Sequence, residues 1–213
     1  ATTGTNTTTG TLSNADVIKG LKEALSVGTN NSVSLTSKVD GFLGNPLIYI
    51  PWPSQAIVMK ERLTQLGFQK QITDFETSLN RAAEEATKTA APVFLNAITN
   101  MSISDGFAIL NGNDTAATHF LREKTTASLK QSFSPTVTDA INKVKVTSYW
   151  SPLITTYNKI PGIEKQNPNL TDYVTDKAIN GLMMMIAKEE TKIRQDPMAR
   201  VTDILKKVFG SKK

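Results

Sequence analysis

Residues 69–91 read QKQITDFETSLNRAAEEATKTAA, and this stretch decides the fold class. Ile72, Phe75, Leu79, Ala82, Ala83, Ala86 and Ala90 recur at steps of three and four, the period of one helical face. The Ala-rich side of that face permits close helix contact. The opposite side carries Glu76, Asn80, Glu84 and Lys88 at i, i+4, flanked by Arg81 and Glu85. A stripe of this kind can be the wall of a groove that takes an anionic or amide-bearing ligand. It can equally be a solvated face with a Glu84–Lys88 pair worth about 0.3 kcal/mol.

Working towards the C-terminus, Pro92 kinks this helix or starts a new one bearing Val93, Phe94, Ala97, Ile98 and Met101. Ser104 is expected to cap a short helix ending at Asn111-Gly112. A further helix begins at Asp114-Thr115, with Ala117, Leu121, Leu129 and Phe133 on one face. Pro135 is expected to open the next, from Thr136 to about Lys143. A segment from Tyr149-Trp150 to Tyr157 follows, then a loop with Pro161, Gly162 and Pro168. The last long helix spans Thr171 to about Gln195. In it the run Leu182 to Ala187, LMMMIA, is apolar all round and so reads as central and buried. Asp196-Pro197 ends it, and Val201, Ile204, Leu205 and Val208 mark a short final helix.

Towards the N-terminus, Pro53-Ser54 precedes a helix that stops at Gly67. Residues 39–53, VDGFLGNPLIYIPWP, hold too much Gly and Pro for a long helix. Phe42, Tyr49 and Trp52 give the segment enough apolar area to pack down as an ordered loop. The first helix starts near Ser13 or Asn14, with Asp16 suited to the positive helix end and Val17, Leu21 and Leu25 on its inner face. Gly28 and Asn30-Asn31-Ser32 can end or interrupt it, and Val33 and Leu35 can continue it. No strand alternation stands out, so the class is all-α, a single domain of about eight helices over 12–210.

Composition bounds the rest. The chain has 213 residues, 39% of them apolar and 20% charged. A domain of this size needs no disulfide or metal to fold. Residues 1–11, ATTGTNTTTGT, hold no large apolar residue and read as a flexible tether. The chain starts with Ala1 rather than Met, and a polar low-complexity stretch at a processed N-terminus commonly follows a secretory or lipoprotein signal. An exported, periplasmic or outer-membrane-associated protein is therefore expected, with a lipid tether upstream of Ala1 an option and a trimmed end the alternative. No apolar run nears the roughly 20 residues that span a bilayer. The net charge is +5, and from Pro197 onward five cations face one anion, leaving the other 196 residues near +1. The charge therefore reads as a basic last turn and a solvated tail, 211–213, not a nucleic-acid face.

Cysteine is absent and His119 is the one histidine. Thiolate chemistry and a two-histidine zinc site are excluded, and no metal or cofactor is expected. His119 lies close to Thr115 and Arg122; Thr115, Thr118 and Ser104 are its candidate nucleophiles, but none sits in a nucleophile-elbow pattern. Asp105, Asn111, Asn113 and Asp114 bracket a Gly-containing loop. Their spacing does not match the twelve-residue calcium pattern and reads better as caps and an Asn-Gly turn. Glu190 and Arg194, at i, i+4 after the apolar run, are expected near the core, joined with Arg81 and Glu84 in one charge network. The methionines are read as core filling, or as the lining of an adaptable apolar pocket.

Several strings in order carry a resemblance: GLKEAL (20–25), DGF (40–42), IPWP (50–53), NRAAE (80–84), SDGFAILNG (104–112), AATHF (116–120), YVTDKAINGLMMMI (173–186), IRQDPMAR (193–200) and LKKVFG (205–210). With them the chain resembles a bacterial family of unknown function, numbered four-one-nine-seven among such domains. The resemblance implies an exported or lipoprotein-type envelope protein, although the lipobox cysteine is missing here, and it supplies no activity or catalytic residue. Met183-Met184 and Gly106 depart from the bulkier aromatic and the Ala expected there. The functional expectation is a non-catalytic binding or structural module, for a small apolar or amphipathic ligand or a protein partner. Its candidate binding residues are Asn80, Arg81, Glu84, His119, Arg122, Glu190 and Arg194, with no catalytic residue assigned. The alternatives are a hydrolase using His119, and an oligomeric assembly subunit that buries the aromatic loop 42–52.

Overall fold

Apolar periodicity becomes eight α-helices in a computed structural model that describes residues 13–144, 148, 150–162, 165 and 169–195. The side chains of Gln55, Pro152, Leu153 and Tyr157 fall outside that description. The helices are α1 (Asn14–Ser37), α2 (Ile57–Gln65), α3 (Gln69–Thr87), α4 (Ala90–Thr99), α5 (Ile103–Asn111), α6 (Ala116–Asn142), α7 (Trp150–Tyr157) and α8 (Leu170–Gln195). No strand occurs among the described residues, so the fold is all-α. The tether 1–11, the expected helix around 201–208, the tail 211–213, Tyr149, Pro168 and Met198 lie outside the described residues.

Helix α8 lies at the centre and packs on α1, α3 and α6. Helix α3 packs on α6, and α4 and α5 each bridge α1 and α6. The Ala stripe works as its small side chains suggest, with Ala82, Ala83, Ala86 and Ala90 all fully buried. On α8, Leu182, Met183, Met185 and Ile186 are buried, but Met184 is 45% exposed, so the apolar run is not buried all round. No single helix among the described residues is long and apolar enough to cross a membrane; α4 and α5 reach that composition only together, bent by 104°.

One open alternative is decided and two local expectations are corrected. Helix α1 continues through Gly28 and Asn30-Asn31-Ser32 to Ser37. Its buried hydroxyls satisfy themselves, Thr29, Ser32 and Thr36 each donating to the carbonyl four residues back at 2.8 Å, so the small residues cost little polar desolvation. Pro135 does not open a helix but sits inside the 27-residue α6. It is exposed, and the buried set Leu129, Phe133 and Val137 keeps the helix continuous through it. The cap of α5 is Ser102, not Ser104: the Ser102 hydroxyl accepts the Asp105 amide, and the Asp105 carboxylate accepts the Ser102 amide and hydroxyl. The same capping box, Ser13 with Asp16, starts α1 where the sequence places it.

The loop 38–53 lies against the core. Phe42, Ile48, Ile50 and Trp52 are buried, and Trp52, Phe75 and Trp150 form an aromatic cluster with ring centroids 4.3–6.4 Å apart. These side chains belong to the chain's own interior, while Leu47 of the same loop is 54% exposed. Asp40 turns the chain at φ 64°, in the left-handed region that Asp tolerates. At Gly41 a side chain would stand 2.4 Å from the Thr36 carbonyl, so the backbone can pass there only without one.

Candidate functional site

The polar stripe of α3 does hold a ligand of a kind, and that ligand is the chain's own loop. The buried Glu84 accepts the backbone amides of Phe42 and Leu43 on Oε1, at 3.0 and 3.1 Å, and Arg81 on Oε2, at 2.7 Å. Arg81 also donates to Asp40 at 2.8 Å. Glu84 first, then Asp40, holds the guanidinium above its ordinary pKa range. Asn80, fully buried, reads Ile50 as a base pair is read: its Oδ1 accepts the Ile50 amide at 2.8 Å and its Nδ2 donates to the Ile50 carbonyl at 2.9 Å. Glu76 takes the Tyr49 hydroxyl and Lys60. Lys88 pairs with Glu85, not Glu84, because Glu84 is turned inward to the loop.

A second carboxylate is committed in the same way. Glu190 of α8 is buried and accepts the amides of Ala117 and Thr118, at 3.0 and 2.8 Å, with the Thr118 hydroxyl at 2.8 Å. Those amides are among the four at the start of α6 that have no partner within the helix. Thr115, the residue before α6, gives no side-chain cap, and Glu190 supplies one from another helix, placed where the helix dipole favours a negative charge. Arg194 clamps Glu190 at 2.8 Å and donates to the Ile109 carbonyl at 3.0 Å. The hydrogen bonds of Glu84 and Glu190 thus run to different parts of the chain, as two staples rather than one network. Beside the second lies a cavity of about 20 Å³ lined by Leu25, Gly28, Ile186 and Ile193, with room for nothing larger than a water.

The remaining candidates are dispersed. His119 is exposed, one residue from the buried Thr118, whose hydroxyl is committed to Glu190. The two side chains therefore occupy different faces of α6. Arg122 donates to Asn180 of α8 at 2.7 Å. Asp105 and Asn111 lie within α5 rather than at the edges of a loop, which is confined to 112–115; there Asn113 accepts the Thr115 amide in a turn and Asp114 accepts Gln195 from α8. No group of three or more metal-ligating side chains occurs among the described residues.

Sequence reasoning missed a larger opening. A cleft of about 460 Å³ runs between α4, α5 and α6. Pro92, Val93, Ala97 and Phe120 are its apolar lining, and Asn96, Asn100, Asp105, Lys124 and Ser128 its polar groups. Asn100 donates its amide to Asn96, at 3.0 Å. Lys124 stands 5.9 Å from the centre of the Phe120 ring. The Asp105 carboxylate is held below its usual range, chiefly by the Ser102 hydroxyl and slightly by Lys124. The signal was present: Asn96 and Asn100 are four apart, as are Phe120, Lys124 and Ser128. Two i, i+4 stripes on helices that share the same neighbour were a legible pair of groove walls.

Comparison with known proteins adds the family and no activity. The family model described as a protein of unknown function, DUF4197, matches residues 11–210, and the chain belongs to that family. No curated protein and no solved structure matches it.

Proposed function

We propose that this DUF4197 member is a non-catalytic envelope protein that binds a small amphipathic molecule in the cleft between α4, α5 and α6. One observation carries the reading: a cleft of about 460 Å³ joins apolar lining to amide, hydroxyl, ammonium and carboxylate groups, and its volume falls within the roughly 300 to 1,000 Å³ of small-molecule sites. Pro92, Val93, Ala97 and Phe120 suit an alkyl or ring portion. Lys124, an exposed cation beside an aromatic face, suits an anionic or carbonyl head, with the Asn96–Asn100 pair as hydrogen-bonding groups. The sequence-level candidates Asn80, Glu84, Glu190 and Arg194 act in this reading as the frame that fixes the helices, not as ligand contacts. The envelope location rests on the polar stretch 1–11 and on the family resemblance, and fractionation of producing cells tests it.

The binding reading is tested by native mass spectrometry of protein recovered from its producer's envelope fraction, beside its denatured mass. The expected result is an added mass that leaves on denaturation and is depleted in Lys124→Glu, whose exposed side chain can change without disturbing the core. A bare chain mass, or an added mass indifferent to that substitution, would overturn the reading.

A further inference from the structure

The cleft between α4, α5 and α6 holds two unlike charges that do not pair with each other. Lys124 of α6 is exposed and makes no ion pair among the described residues. Its ammonium stands 5.9 Å from the centre of the Phe120 ring. Asp105 of α5 spends its Oδ2 on the cap of its own helix, accepting the Ser102 amide at 3.1 Å and the Ser102 hydroxyl at 2.7 Å. Its Oδ1 accepts no hydrogen bond among the described residues. Lys124 is near enough to act on this carboxylate, helping to hold it below its usual range after the larger effect of the Ser102 hydroxyl. The two groups are neighbours without being partners.

The amide pair on α4 is divided in the same sense. Asn100 Nδ2 donates to the Asn96 carbonyl and to Asn96 Oδ1, both at 3.0 Å. That leaves Asn96 Nδ2 as a donor and Asn100 Oδ1 as an acceptor, neither with a partner among the described residues. The cleft therefore offers two open donors, Lys124 Nζ and Asn96 Nδ2, and two open acceptors, Asp105 Oδ1 and Asn100 Oδ1. A lone carboxylate or phosphate only accepts, and beside Asp105 it meets like charge. A lone ammonium only donates, and beside Lys124 it meets like charge. A sugar hydroxyl does both but brings no charge to either group. A molecule with one cation and one anion a few bonds apart answers all four groups. The lining of Pro92, Val93, Ala97 and Phe120 asks for an apolar portion on the same molecule. We propose that the cleft binds a free α-amino acid with an apolar side chain, its carboxylate on Lys124 and Asn96 and its ammonium on Asp105 and Asn100. The proposal rests on the cleft being the binding site and adds the chemistry of the occupant. Ion pairs this open to solvent contribute little each, so the Kd is on the order of 1 mM.

Two-dimensional NMR of the full chain tests it, titrated with L-leucine, N-acetyl-L-leucine and L-leucinamide to about 50 mM. Leucine is expected to move the side-chain amide signals of Asn96 and Asn100 and the backbone signals around Lys124, and to saturate. The acetylated probe lacks the ammonium and the amide probe lacks the carboxylate, and each is expected to bind at least about threefold more weakly. Two variants then assign the ends. Lys124→Gln should weaken leucine and N-acetyl-leucine but not leucinamide. Asp105→Asn, which keeps an oxygen for the Ser102 cap, should weaken leucine and leucinamide but not N-acetyl-leucine. Melting temperatures check the fold of both, and the two analogues read each charge on the unaltered protein whatever Asp105→Asn does to α5. N-acetyl-leucine or leucinamide binding as tightly as leucine overturns the zwitterion and leaves the cleft reading standing. Leucine binding indifferent to both variants overturns the proposal too. Cleft signals unmoved by all three probes at about 50 mM overturn the amino acid as the occupant, and the mass added in the native spectrum then decides separately whether the cleft binds at all.

Discussion

Replacing Glu190 by Gln should destabilise the fold by about 3–5 kcal/mol, although only one heavy atom changes element. The carboxylate accepts five hydrogen bonds: Ala117 N and Arg194 Nε and Nη2 on Oε1, and Thr118 N and Oγ1 on Oε2. An amide nitrogen at the Oε1 position would face three N–H donors. At Oε2 it faces one, the Thr118 amide, because the Thr118 hydroxyl can turn and accept. The amide therefore settles there and leaves one buried N–H without a partner, at roughly 1–3 kcal/mol. Loss of the negative charge also removes the Glu190 ion pair of Arg194, whose side chain is 12% exposed, at a comparable cost. Against a typical total stability of roughly 5–15 kcal/mol, the change is large.

Urea titration measures it as a shift of midpoint at unchanged slope. Hydrogen exchange at the Ala117 and Thr118 amides tells where the loss occurs, since the start of α6 should open first. In a double-mutant cycle, Arg194→Met should couple to Glu190→Gln by at least about 1 kcal/mol, because the two groups share a bond. A loss below about 1 kcal/mol with both amides as protected as before would refute the cross-helix cap.

Other outcomes follow from the same geometry. Gly28→Ala should stabilise by about 0.5–1 kcal/mol, raising Tm by roughly 1–4 °C, because a helix-interior glycine is costly and the new Cβ meets Glu189 and Ile193 at ordinary distances of 3.7 and 3.8 Å. Gly181→Ala should do the reverse, losing about 1–3 kcal/mol, since its Cβ would lie 2.7 Å from the buried Phe42 ring and 3.1 Å from Ile48; denaturation midpoints of the two variants should move in opposite directions. Tyr49 and Tyr173 are both pushed up to about 12, Tyr49 by burial and then by Glu76, Tyr173 by burial. A raised phenol binds its proton more tightly when folded, so its contribution is complete below pH 10 and is lost as the pH climbs from 10 towards 12. Absorbance titration at 295 nm should show two late tyrosines in the wild type and one in Tyr49→Phe; all four titrating near 10 would contradict both assignments.

Much of the architecture was legible because burial leaves a period in sequence. The spacing of Ile72, Phe75 and Leu79 gave α3, and the start of α1 was legible to within a residue, at Ser13 or Asn14, of which Ser13 is the cap. The errors came where a local rule was set against packing. Pro135 removes one hydrogen bond, but it lies on the exposed side of a helix whose inner face is continuous, and the inner face prevails. Gly28 weakens helix propensity, yet small residues at that point let α1 lie close to α8. At α5 the signal was present and misassigned: Ser102 has Asp105 three residues on, as a capping box requires, while Ser104 has Phe107. Asn80, Arg81, Glu84, Glu190 and Arg194 were legible as unusual, but their partners were not. Those partners are mostly backbone amides and carbonyls, which every residue carries and no sequence pattern marks.

The strings behind the family resemblance meet in space, and this says what they encode. DGF, IPWP and NRAAE touch one another through Asp40–Arg81, Glu84 with Phe42, and Asn80 with Ile50. Within the second staple, AATHF supplies the amides of Ala117 and Thr118, SDGFAILNG the carbonyl of Ile109, and IRQDPMAR the arginine at 194. In each staple a buried carboxylate holds backbone amides and is itself clamped by an arginine one turn away on its own helix, three residues before Glu84 and four after Glu190. Breaking such a carboxylate strands several donors at once, which suffices to explain why these strings stand out without invoking chemistry at them. Asn80, Arg81, Glu84, Glu190 and Arg194, expected as ligand-binding residues, make their described hydrogen bonds within the chain. Binding activity is then to be sought where polar groups keep open directions beside apolar surface, and in the described chain the α4–α5–α6 cleft, whose lysine stands over an aromatic ring, answers to that.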